Sequence, residues 1–176
     1  MTFEEAAELD PDEQPGEIVD GEWVPATRSS WRHGEITSAI NFLLKLYARE
    51  HGGWSVPVAD PGVKLGRNPD RLRGPDVAMV RAERAPKGKG VEGWLDGAPD
   101  VAVEVVGDSQ SISEMAKKAL DYLGAGAKMV WIVDAEPRRV VLFTPPDRVT
   151  ILGPDDTLDG GDVLPGFRCR VAEMFT

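Results

Sequence analysis

The sequence predicts a mixed α/β fold, a central mixed sheet flanked by helices, and three observations predict it. Six short β-prone runs lie between positions 54 and 145, one long amphipathic segment precedes them, and a second is lodged between the fourth and fifth runs. The order helix, strands, helix, strands suits an α/β domain better than a bundle or a sandwich.

Each element has its own signal. Residues 1–15 combine acids with two prolines and few apolar residues, which reads as a loosely ordered lead-in or a short helix. In GEIVDGEWVPA, β-prone pairs flank Asp20-Gly21, a dipeptide that accepts the positive φ angles of a tight hairpin. From Trp31 to about Glu50, Ile36, Ala39, Ile40, Leu43, Leu44 and Tyr47 recur at helical spacing, and His51-Gly52-Gly53 ends the segment. The runs WSVPVA, GVKLG, PDVAMV, DVAVEVV, KMVWIVD and RVVLFTP follow, and they are expected to form one sheet. SISEMAKKALDYLGAGA reads as a helix that starts at a serine and stops at Gly124 or Gly126. The final stretch supplies turns, a last short strand and a terminal apolar turn that docks on the core.

With 176 residues the chain is expected to be a single domain over 1–176. Hydrophobic residues make up 41% and charged residues 28%, and no apolar run is long enough to cross a bilayer, so no membrane partner is expected. The acidic beginning lacks the features of a signal peptide, which makes the cytoplasm the expected location. One cysteine, Cys169, and two histidines are too few for a zinc site of the usual spacings, so any metal is expected to be held by oxygen. The net charge of −10 argues against a general nucleic-acid-coating surface. The charge is uneven, however: from Lys64 to Lys89 eight Lys/Arg face three acids, a local +5 that leaves −15 for the rest. Arg67, Arg71 and Arg73 in that segment are candidate nucleic-acid contacts, and a solvated basic loop is the alternative.

The chemistry centres on carboxylates. In VAVEVV, alternation turns Val101, Val103 and Val105 to one face and Ala102, Glu104 and Val106 to the other, so Glu104 interrupts an apolar face. A carboxylate there needs a partner or a metal, and an ion pair to the covering helix is the plain alternative. Asp100 shares its parity and is a possible accessory. Asp76, after Gly74-Pro75, opens another apolar strand; alone it reads as turn chemistry, but on neighbouring strands Asp76 and Glu104 would form a pair of hard oxygen ligands for Mg²⁺ or Mn²⁺. On the second helix Lys117 and Lys118 flank the apolar stripe, and either could reach over the sheet; the plain alternative for Lys118 is a surface pair with Glu114 one turn away.

Several segments in this order and spacing carry a resemblance: IVDGEWV, Trp31-Arg32-His33, Gly74-Pro75-Asp76-Val77, Pro99 to Val105, Lys118 to Tyr122 with Gly126 beyond, Val130 to Asp134, and Leu164-Pro165-Gly166-Phe167. Over nearly its whole length the chain resembles the Uma2 (DUF820) proteins, a group of endonucleases within the PD-(D/E)XK superfamily. The resemblance implies a restriction-endonuclease-like fold. It also implies catalytic roles for Asp76 and Glu104 as metal ligands and for Lys118 as the lysine that positions or deprotonates water. In the usual pattern the lysine lies two residues after the glutamate, where this chain has Val106; the Lys-x-x-x-Tyr spacing selects Lys118 over Lys117. A second departure is Gly107-Asp108-Ser109 where relatives often have Ser-Pro-Ser. His33 and Glu35 sit where the first long helix can reach the site, His33 more as a structural hydrogen-bonder than as a catalyst.

The implied activity is metal-assisted hydrolysis of nucleic-acid phosphodiester bonds, DNA foremost, by a homodimer. The competing reading is a catalytically inactive nuclease-fold module acting in binding or assembly. A Ser-His-Asp or Cys-His hydrolase is disfavoured, since no such motif is present and the two histidines lie 18 positions apart near the first long helix.

Overall fold

The computed structural model describes residues 1–9, 14–107 and 110–175. Positions 10–13 of the expected lead-in, and Asp108 and Ser109 of the expected helix approach, lie outside the described residues. The lead-in holds a short helix, α1 (Phe3–Ala7), closed by a capping box between Thr2 and Glu5. Phe3 and Ala6 are buried, so this segment packs rather than trails.

The hairpin forms as expected, with β1 (Gly16–Val19) against β2 (Glu22–Pro25). Asp20 and Gly21 both take positive φ, 49° and 83°, which matches the twist of a two-residue turn to that of its strands. The periodic segment becomes α2 (Trp31–His51), capped by the Ser30 side chain. After it come β3 (Trp54–Ser55), β4 (Val63–Gly66), β5 (Arg71–Arg73), β6 (Val77–Arg81), β7 (Leu95–Asp96) and β8 (Val101–Val105). The second helix is α3 (Ile112–Gly124), with a Ser111–Glu114 capping box and Gly126 at φ 102° just past its end. Then follow β9 (Met129–Asp134), β10 (Arg139–Thr144), β11 (Arg148–Leu152), β12 (Thr157–Asp159), β13 (Arg168–Arg170) and a terminal 3₁₀ turn, Val171–Phe175.

The β-prone runs do not share one sheet. Six strands pair in the order β11-β10-β9-β8-β6-β3, five in the order β2-β1-β5-β4-β7, and β12 pairs with β13 alone. GVKLG therefore leaves the expected sheet and joins the hairpin, because β5 pairs with β1 on one side and with β4 on the other. Of WSVPVA only Trp54–Ser55 is a strand, with Val58 bridging to Val77.

The six-stranded sheet is covered on both faces. Ile36, Ile40, Leu44 and Tyr47 of α2 pack on the side of Val77, Met79, Val101, Val103 and Trp131. Met115, Ala119 and Tyr122 of α3 pack on the side of Ala102, Val130 and Ile132. α3 lies between β8 and β9, which are parallel, as such a crossover requires. The alternation expected in VAVEVV holds, and Glu104 points to the α3 face. The molecule is thus mixed α/β, and Val63 and Leu95 of the hairpin sheet pack into the same core as α3.

Candidate active site

The register of β6 on β8 builds the centre. Val77 pairs with Val103 in antiparallel sense, so Asp76, one residue before, and Glu104, one residue after, come across from each other at the sheet end. Asp76 Oδ2 accepts the Val105 N–H at 2.7 Å, and its Oδ1 lies 3.2 Å from His33 Nε2 in the first turn of α2. The hydrogen bond and charge of Asp76 raise the His33 pKa against the opposing effect of burial.

Glu104 is only 3% exposed and both its oxygens are occupied by α3. The Tyr122 hydroxyl donates to Oε1 at 2.6 Å and the Lys118 ammonium donates to Oε2 at 3.1 Å. Lys118 and Tyr122 are four residues apart, so one helix face delivers both. The Glu114 pairing does not form, because Glu114 closes the helix cap by accepting from the Ser111 N–H at 2.7 Å. The plain alternative for Glu104, an ion pair to the covering helix, is realised, and its partner is Lys118 itself.

A residue outside the expected set completes the cluster. Glu17 of β1 accepts from Lys118 Nζ at 3.0 Å, from Arg73 at 2.9 Å and from the Gly74 N–H at 3.0 Å. Asp60 is a second. It sits on the exposed loop before β4, with Ala59 and Asp60 both at positive φ, 64° and 55°. A Cβ added at Gly74 would meet Asp60 Cβ at 2.9 Å, so the glycine lets the loop close onto the Asp76 segment. Neither residue carries a signal in the sequence: Glu17 reads as the polar side of a hairpin strand, and Asp60-Pro61-Gly62 reads as an ordinary turn.

Burial pushes the Glu104 carboxyl up to about 7, with Asp76 and Glu17 adding to the push and Lys118 opposing it. Burial disfavours the Lys118 charge, but the Glu104 and Glu17 carboxylates outweigh it and raise its pKa above the ordinary value. Desolvation and the Asp76 charge likewise raise Asp60. Burial leads both upward carboxyl shifts, whereas Glu17, opposed by the same burial, is held below its ordinary value by Lys118 and Arg73. Among the described residues no group of three or more His, Cys, Asp or Glu side chains is arranged to hold a metal unaided. Asp76 and Glu104 could hold a magnesium-like ion as two carboxylates, the remaining positions falling to water or substrate oxygen, which is the usual habit of Mg²⁺. A cleft of about 1080 Å³ opens onto this cluster, lined there by Glu17, His33, Asp60, Asp76, Glu104 and Lys118.

Of the other expected residues, Arg73 touches the cluster through Glu17, and the rest lie apart from it. Asp100 is at the far end of β8, where it accepts from the Arg81 N–H and pairs with Lys128 and Arg84. Glu35 pairs with Arg32 at 3.6 Å. Arg67 is engaged by Glu4 and Asp70, Arg71 by Asp20, and Arg73 by Glu17 and Asp121, so the local +5 is largely answered by acids from other segments. No helix among the described residues is long and apolar enough to cross a membrane.

The same architecture occurs in a solved structure described as "a putative nuclease belonging to DUF820 from Anabaena variabilis ATCC 29413". The two superpose with a TM-score of 0.86 at 18% identity, covering 99% of this chain and 97% of the other. At that identity the likeness establishes the fold, which is restriction-endonuclease-like. No curated protein matches the sequence. The Uma2 family, described as "Putative restriction endonuclease", matches residues 2–172, a span that holds both carboxylate strands, the Lys118 helix and the hairpin sheet, and the chain belongs to that family.

Proposed function

We propose that the chain is a single-domain, metal-dependent endonuclease that hydrolyses phosphodiester bonds of nucleic acid, DNA foremost, with Asp76 and Glu104 as ligands of Mg²⁺ or Mn²⁺. The observation that carries this reading is the approach of Lys118 to Glu104 at 3.1 Å from a different element. It supplies next to the second acid the cation that the local sequence, with Val106, lacks.

A bound divalent ion would polarise a phosphate oxygen and acidify a water. The chain's own residues have separate tasks. Asp76 is fixed at both oxygens, by the Val105 N–H and by His33, so it presents its carboxylate without rotamer freedom. Lys118, flanked by two carboxylates, keeps its proton; its task is to orient the attacking water and to donate to negative oxygen rather than to abstract a proton. Tyr122 holds the rear oxygen of Glu104. Two such sites in a homodimer would cut both strands, and a dimeric mass in solution at micromolar concentration is the corresponding expectation. The cytoplasm is the proposed location.

The test is a calorimetric titration of Mn²⁺ into wild type and Glu104→Gln, followed by cleavage of plasmid DNA. Binding lost in the variant, with the fold intact by circular dichroism, supports the reading. Metal-dependent cleavage that persists in an Asp76→Asn, Glu104→Gln double variant overturns it.

One observation favours a second reading, a non-catalytic module of the same fold. All four carboxylate oxygens of Asp76 and Glu104 already have protein partners. That reading predicts that Mn²⁺ does not bind.

A further inference from the structure

Lys118 has two carboxylate partners, and they are anchored in different sheets. Glu104 belongs to the covered six-stranded sheet and is a proposed cation ligand. Glu17 belongs to the hairpin sheet and is held by groups unconnected with the cation. Its Oε2 accepts from Arg73 Nη1 at 2.9 Å and its Oε1 from the Gly74 N–H at 3.0 Å. Arg73 is in turn fixed by Asp121 of α3. The strand beneath Glu17 is tightly seated as well: at Gly16 a Cβ would meet the Trp23 ring at 2.6 Å, and Ile18 is fully buried.

A tie between the hairpin sheet and α3 does not need Lys118, because Arg73 already bridges Glu17 and Asp121. What Glu17 adds is a second acceptor for the lysine. An ammonium that relied on Glu104 alone would compete with any cation for the same oxygen, and would be free to swing into the cleft once that oxygen was taken.

We propose that Glu17 is a positioning residue: from the hairpin sheet it holds the Lys118 ammonium over the Asp76–Glu104 pair, and it keeps it there when Glu104 turns to a cation. The last clause rests on the metal-dependent reading; the first does not.

The test reads the ammonium directly, by ¹⁵N NMR of the lysine NH₃⁺ groups of the full chain at neutral pH, with the Lys118 signal identified by its loss in Lys118→Met. In wild type the Lys118 protons, donated to two carboxylates, exchange slowly with water. Glu17→Gln removes a charge-assisted partner and is expected to speed that exchange roughly tenfold, while Glu17→Asp recovers part of the protection. Unchanged exchange in Glu17→Gln overturns the proposal. An arm on wild type alone covers the case in which Glu17→Gln does not fold: on saturation with Mg²⁺ the Lys118 signal persists, and its disappearance overturns the proposal. If Mg²⁺ moves no resonance near Asp76 and Glu104, the metal reading fails, and the exchange comparison without metal still decides whether Glu17 holds the lysine.

Discussion

The Tyr122 hydroxyl donates to Glu104 Oε1 at 2.6 Å from the interior side, so the buried carboxylate is gripped from behind by the helix that also sends Lys118 to its front. Tyr122 is itself fully buried among the side chains between α3 and the sheet. Its replacement by phenylalanine keeps the ring and removes only the donor. A buried acceptor that loses its partner costs about 1–3 kcal/mol, so Tyr122→Phe is expected to lower the urea midpoint by a corresponding amount without changing the slope. Loss of that bond also pushes the Glu104 pKa higher still, which weakens any divalent-ion binding at neutral pH. A variant as stable as wild type would show that the bond contributes nothing net.

Acidity supplies the next expectation. The Glu104 carboxyl sits at about 7 in the folded protein against an ordinary 4.5, so the native state holds a proton that the unfolded chain has released. Between those values stability falls as the pH rises. His33, raised above its ordinary 6.5 by Asp76, acts in the same direction, its contribution being present below 6.5 and lost as the pH climbs through the folded value. Wild type is thus expected to lose stability from pH 5 to pH 8, by up to roughly 3 kcal/mol from Glu104, and Glu104→Gln to lose distinctly less. Chemical denaturation across that range measures both. Mn²⁺ affinity is expected to move the opposite way, rising with pH toward 7, because the ion requires the deprotonated carboxylate.

Arginines that look alike in sequence separate in structure. Arg73, with its side chain 10% exposed, joins Glu17 to Asp121, and Arg73→Ala would leave Glu17 with only Lys118 and the Gly74 N–H as partners; a cost of about 3 kcal/mol and a weakened Lys118 anchor are expected from thermal melts and the exchange experiment. Arg71→Ala opens a surface pair with Asp20 and is expected to change stability by less than about 0.5 kcal/mol. If Arg71 were a principal DNA contact, the salt dependence of binding would flatten in that variant; its engagement by Asp20 leads to the expectation of little change.

Cys169 on β13 is buried, and burial pushes its thiol up to about 12. The native protein is expected to resist alkylation at neutral pH, with reaction appearing at the rate of unfolding in denaturant. Rapid labelling of the native chain, followed by mass spectrometry, would contradict this.

Much of the fold is legible in local chemistry. Asp20-Gly21 marks the hairpin, the three-and-four spacing marks α2, and Ser111 with Glu114 marks the start of α3. Alternation alone puts Glu104 on the face opposite Val103. The partition into two sheets is not legible, because GVKLG and Arg71–Arg73 are too short to declare a partner, and strand pairing is a long-range choice. Asp76 and Glu104 stand out as acids at apolar strands, which resemblance then assigns. Glu17 does not stand out: it lies 101 positions from Lys118, in a strand where a polar residue beside Ile18 is unremarkable. Arg73 is misleading for the same reason, since a run of positive charge in the sequence is silent about the acids that fold against it.

The lysine's residence on α3 rather than on β8 also bears on how such proteins diverge. With a lysine supplied by another element, the position two after Glu104, just past β8, holds Val106, which packs with the α3-side core. On the metal-dependent reading, what brings acid and lysine together is the seat of α3 on the sheet and not the number of residues between them. On that reading, kinship would be written in the coincidence of two side chains in space rather than in a string of letters.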